Sequence, residues 1–147
     1  MPTVANVVAA MERLYDPALA EAWDAVGLAC GDPAAEVHRI LFAVDPVAAV
    51  ADEAIGWRAD LLITHHPLYL RPVHGVAATT PKGRLVHRLV RAGISLYVAH
   101  TNADSADPGV SDALAAAAGL ADLRPLDARP AEATDKLVVF VPEPDAQ

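Results

Sequence analysis

The residues of this chain best suited to chemistry are a tandem pair of imidazoles and a His/Asp corner. His65 and His66 follow the apolar run Ala59-Asp60-Leu61-Leu62-Ile63 and precede Pro67, so they stand where a buried strand stops. Further on, His100-Thr101-Asn102-Ala103-Asp104 closes a second apolar run, Ile94 to Ala99. Successive strand residues point to opposite sides, so a tandem pair at a strand end is expected to serve two ions, or one ion and one hydrogen-bond partner. Imidazole and carboxylate suit Zn, Fe, Mn or Ni, and no thiolate narrows the choice. Structural zinc sites are closed by four ligands and are often rich in cysteine. This set reads instead as an open centre, where a bound water becomes a nucleophile near neutral pH. His100 is read as a residue that orients Asp104 or acts on a proton.

These groups need a scaffold, and the chain reads as alternating helix and strand. Val4, Val7, Val8, Met11 and Leu14 recur at helical spacing behind a Thr3 cap. The segment Asp16 to Asp32 loses periodicity and is read as a loop, with Trp23 as a packing anchor. Val37 to Val44 is an apolar run expected to form a buried strand, and Asp45-Pro46 is expected to cap and start a helix with Val47, Val50, Ala51, Ala54 and Ile55 on one face. After the second strand, Ala59 to Ile63, comes a Pro- and Gly-rich loop from Pro67 to Thr80, longer than most such connections. Thr80-Pro81 opens another helix with Leu85, Val86, Leu89 and Val90 inward and Gly93 as its stop. The third strand, Ile94 to Ala99, leads to an alanine-rich helix that Asp107-Pro108 starts and that ends near Gly119.

Strand and helix repeated three times demand an α/β fold with a mainly parallel sheet and crossover helices. In such sheets ligands gather at the carboxyl ends of the strands. Those ends carry Asp45, His65-His66, and His100 with Asp104. A helix cap explains Asp45 fully, and lone His38, His74 and His87 are read as core or surface residues.

Composition bounds the partners. A net charge of -8 over 147 residues, with scattered cations, argues against nucleic acid and against an anionic membrane surface. No stretch reaches the ~20 apolar residues of a membrane span, and the N-terminus lacks a signal-peptide pattern. Cys30 is the single cysteine, which excludes an intrachain disulfide and fits a reducing cytoplasm. Dinucleotide, P-loop, HExxH and GxSxG signatures are all absent from the sequence.

Three motifs together, Trp23-Asp24-Ala25-Val26-Gly27-Leu28, Ile63-Thr64-His65-His66-Pro67-Leu68 and Ala99-His100-Thr101-Asn102-Ala103-Asp104, resemble the Nif-three-like dinuclear metal-centre proteins, often named GTP cyclohydrolase 1 type 2 homologues. The likeness covers about residues 3 to 126. It implies an α/β fold, a toroidal homohexamer, and two divalent metal ions per full-length subunit at a site facing a central cavity. By motif position it makes His65, His66 and Asp104 metal ligands and His100 a polar neighbour, the candidate catalytic residue. Ala25 and Ala103 stand where asparagine and leucine are usual. The implied activity is metal-dependent hydrolysis of an unidentified small molecule. The alternative is a non-enzymatic hexameric scaffold that stores, delivers or senses metal.

The family completes its site with a histidine and, four residues later, a glutamate in its C-terminal part. No such pair follows Asp104 here. Residues 1–130 are therefore expected to be the N-terminal half of such a domain. Residues 131–147 would be a linker and, at Lys136 to Val141, the first strand of an inserted domain.

Overall fold

Four strands, β1 (Gly27–Cys30), β2 (Ile40–Ala43), β3 (Leu61–Thr64) and β4 (Ser95–Val98), form one sheet in the order β1-β4-β3-β2. The structure is a computed structural model that describes residues 1–125. The expected linker and strand over residues 131–147 lie outside the described residues.

The three apolar runs become the parallel part of the sheet. Leu61 pairs with Ile40 on one side and with Ser95 on the other, and Thr64 pairs with Ala43 and Val98. Parallel neighbours need crossovers, which α2 (Ala48–Trp57) and α3 (Pro81–Arg91) supply. Helices cover both faces, so the central strands are apolar on both sides. Leu62 and Leu96 pack with Ala51, Ala54, Leu85 and Leu89 beneath α2 and α3. Leu61, Ile63 and Tyr97 face the other way, onto Val4 and Met11 of α1 (Val4–Leu14) and Ala103 of the short α4 (Thr101–Ser105). A last helix, α5 (Val110–Ala117), follows.

Helix ends follow local chemistry. Thr3 Oγ1 accepts from the Asn6 N–H, and Asn6 Oδ1 accepts in return from the Thr3 N–H at 2.9 Å. Thr80 Oγ1 accepts from the Gly83 N–H at 3.0 Å, with Pro81 in the first turn of α3. Three expectations are corrected here. Leu14 and Val90 are exposed, since each lies at the outer margin of its helical stripe. The strand over Val37 to Val44 is an edge strand, not a buried one, and its Phe42 is 66% exposed. The aperiodic segment before Asp32 holds β1, which runs antiparallel to β4 with Gly27 opposite Val98 and Cys30 opposite Leu96. Just past β1, Gly31 sits at φ 120° against Ser95, where a Cβ would collide with the serine side chain.

Candidate metal centre

The sheet delivers side chains from all four strands to one edge. His65 and His66 follow β3, His100 follows β4, and Asp45 follows β2. Asp24 precedes β1, and because β1 is antiparallel to β4 its start lies at the same edge as the carboxyl ends of the others. The corner after β3 is held by backbone bonds from the His65 N–H to the Ala43 carbonyl at 3.1 Å and from the His66 N–H to the Val44 carbonyl at 2.8 Å. Thr64 Oγ1 donates to the His66 carbonyl at 3.0 Å and closes the turn.

Since β3 ends at Thr64, strand alternation does not run on through both histidines. Their rings lie side by side with centroids 5.1 Å apart. Each leans on a different neighbour. His65 Nδ1 donates to the Ala99 carbonyl at 3.0 Å, and His66 Nδ1 lies 2.7 Å from Asp45 Oδ1. The expected helix cap at Asp45 is thereby corrected: α2 begins at Ala48 with Val47 at its cap, and the Asp45 carboxylate serves His66 instead.

His100 is anchored most firmly. Its Nδ1 lies 2.8 Å from Asp24 Oδ1, while Asp24 Oδ2 accepts from the Thr101 N–H at 3.0 Å and from the Thr101 hydroxyl. The Asp24 side chain is fully enclosed. Burial alone would raise its pKa, but the hydrogen bonds from Thr101, His100 and the Ala25 N–H outweigh burial and hold the carboxyl down at about 2. The backbone around it is tied down by fully buried Asn102, which accepts from the His100 N–H at 3.0 Å and donates to the Tyr15 carbonyl at 2.8 Å.

A carbonyl or an ionised carboxylate can only accept, so in all three histidines Nδ1 carries a proton, and in the neutral ring the lone pair is on Nε2. One ring nitrogen from each of His65, His66 and His100 lies within 4.8 Å of the other two. His65 Nε2 also lies 3.6 Å from Asp104 Oδ1 on α4. This donor set fits a divalent ion: neutral imidazoles oriented by oxygen acceptors behind them, with a carboxylate alongside. Exposure of the side chains rises from 16% at His100 through 24% at His65 to 46% at His66, so the centre opens toward solvent.

The structure thus brings together His65, His66, His100 and Asp104. His38, His74 and His87 lie outside the cluster, and His38 pairs with Glu36 at 3.6 Å. Trp23 is no packing anchor: it is 57% exposed and meets the His100 ring edge-on at 6.1 Å between centroids. Sequence reasoning missed Asp24 as the partner of His100, for a carboxylate before a strand reaches this edge only if the strand runs antiparallel. Cys30 sits at the far end of β1 from Gly27, and burial pushes its thiol pKa up. No helix of the described residues is long and apolar enough to cross a membrane.

Known proteins share this sequence and fold. A Streptomyces coelicolor protein named GTP cyclohydrolase 1 type 2 homolog is 57% identical over 132 residues, which cover 90% of this chain and 46% of that protein. A Mycobacterium tuberculosis protein of the same name is 52% identical over 145 residues, 98% of this chain and 38% of that one. The chain therefore spans less than half the length of these relatives. Among solved structures, a Bacillus cereus protein related to NIF3 superposes with a TM-score of 0.77 at 34% identity, covering 83% of this chain and 34% of that one. Reduced HcgD from Methanocaldococcus jannaschii gives 0.77 at 31% identity over 86% of this chain and 50% of that one. The family model Duf34/NIF3 (NGG1p interacting factor 3) matches residues 2–144, and the chain belongs to that family.

Proposed function

We propose that this chain is the metal-binding portion of a divalent-metal-dependent hydrolase, with His65, His66 and Asp104 as ligands and His100 as the residue that handles a proton. The observation that carries the reading is the convergence of three rings, each oriented by an oxygen acceptor at its Nδ1, with one ring nitrogen from each within 4.8 Å of the other two. A divalent ion held there would make a nucleophile of water near neutral pH and stabilise developing charge on a phosphate or cyclic amide. The chain's own part is to hold the rings, keep the Asp104 carboxylate beside His65, and leave the side nearest His66 open to a substrate. In the longer protein two ions and a toroidal homohexamer are expected from the family resemblance.

One observation favours a second reading, a non-enzymatic scaffold that stores or delivers metal. A cavity among the described residues, lined by Ala25, Val26, Gly27, Leu28, Pro67 and Tyr69 among others and by no candidate ligand, holds about 170 Å³. Small-molecule pockets usually reach about 300 Å³ or more.

Two measurements test the proposal. Elemental analysis after dialysis against Zn or Mn should find one weakly held ion per 147-residue chain and none in His65→Ala. Two tightly held ions in the chain would contradict that ligand set. In the full-length protein, hydrolysis of nucleotides and phosphoesters should disappear with His65→Ala; equal trace activity in both would leave the scaffold reading.

A further inference from the structure

We infer that Trp23 is the surface on which the substrate of this site lies flat, so that the substrate class is a planar conjugated ring, such as an unsaturated cyclic amide, and not a bare phosphoester. The inference rests on the hydrolase reading above and narrows the substrate named there.

Exposure combined with fixation is the first argument. Tryptophan carries the largest apolar side chain, and most of its surface is ordinarily removed from water. Trp23 leaves 57% of its surface in water. The backbone beneath it is nonetheless fixed. The Asp24 N–H donates to the Glu21 carbonyl at 2.9 Å, the Glu21 N–H donates to Thr101 Oγ1 at 3.0 Å, and the enclosed Asp24 carboxylate accepts from the Thr101 N–H at 3.0 Å. An indole bared on a fixed turn is preorganised: it offers a large contact area with only two side-chain torsions to freeze.

Position is the second argument. The Trp23 ring meets His100 at 6.1 Å between centroids and 77° between planes, and the His100 ring lies 5.1 Å from that of His65 and 5.5 Å from that of His66. Aromatic pairs settle with centroids about 4.5–7 Å apart, so a flat ring held against the indole is carried to the rim of the histidine cluster. An indole recognises the π face of a ring and no particular hydrogen-bonding edge. It therefore selects planar, conjugated compounds over puckered or open-chain ones. Trp57, the other tryptophan, closes α2 just before β3 starts, and so lies at the opposite end of the sheet from His65.

The test is titration of the 15N-labelled 147-residue chain with uracil and with its puckered analogue 5,6-dihydrouracil, following the two indole N–H signals and the backbone amides of Asp24 and Ala25. Uracil should shift the Trp23 signal and leave that of Trp57 in place. Dihydrouracil, and uracil added to Trp23→Leu, should bind roughly 5- to 150-fold more weakly, and Trp23→Phe should restore most of the uracil affinity. Equal affinity for the two compounds, wild-type uracil affinity in Trp23→Leu, or an unmoved Trp23 signal would overturn the inference. A zinc titration of the same samples keeps the two readings apart. Zinc held alike by wild type and Trp23→Leu, with no uracil effect at Trp23, removes the ring surface and leaves the metal-binding reading. Uracil stacking in a chain that holds no zinc keeps the planar-ring preference and removes the hydrolase reading.

Discussion

Asp24 and His100 stand 76 residues apart in the chain and 2.8 Å apart in the fold. The antiparallel start of β1 places the carboxylate at the end of β4, where the imidazole emerges. One enclosed side chain therefore ties the aperiodic N-terminal segment to the corner that carries the candidate site.

Removing that carboxylate strands four donors: the His100 Nδ1–H, the Thr101 N–H, the Thr101 hydroxyl and the Ala25 N–H. Asp24→Ala is expected to cost about 2–4 kcal/mol, and Asp24→Asn less, because the amide oxygen still accepts. Urea denaturation checks this: the midpoint should fall with little change in slope. An unchanged midpoint would mean that the contact carries no stability.

β1 is also vulnerable at Gly31, which combines φ 120° with close contact to Ser95. Gly31→Ala should cost about 1–3 kcal/mol through strain and displacement of Ser95. Thermal unfolding would register it as a lowered Tm, whereas an unaltered Tm would show that β1 can shift away freely.

Much of the scaffold was legible in the sequence, because long periodic segments announce themselves. The apolar runs at Leu61–Thr64 and Ser95–Val98 and the capped helices α1 and α3 fall where pattern and caps put them. The misses have physical causes. β1 is a short Gly-Leu-Ala-Cys strand with no β-branched residue, and its entry at Gly27 takes φ 104°. At Thr101–Ser105, α4 is too short to show a period. Of the site, the histidines and Asp104 could be read from their strand ends. The partners of His66 and His100 could not, since Asp45-Pro46 carries a helix-start signature and Asp24 depends on the antiparallel strand.

Asp60 supports the entry to β2 by accepting from the His38 and Arg39 N–H groups, both at 2.8 Å. Burial would raise its pKa, but these two hydrogen bonds and the nearby His38 and Arg39 charges hold it below the ordinary aspartate value. A carboxylate with a depressed folded-state pKa contributes its stability above the unfolded pKa and loses it as pH falls through the folded one. Asp60→Asn should thus be about 1 kcal/mol less stable than wild type at neutral pH, with the gap closing as pH falls through and below the ordinary aspartate range. A gap that held constant down to low pH would contradict the assignment.

Leu62 is fully buried between β2, β4 and the α2/α3 layer. Leu62→Ala should cost about 2–5 kcal/mol in chemical denaturation, since the surrounding sheet cannot collapse onto the void. A loss below that range would show a looser core on this face.

The central claim is that the carboxyl edge of this sheet holds a divalent ion between histidines. Anomalous diffraction from zinc-soaked crystals of the chain tests it most directly. The account requires one anomalous peak within bonding distance of His65 and His66; a crystal with no peak there, or with zinc only at His38, His74 or His87, would contradict it.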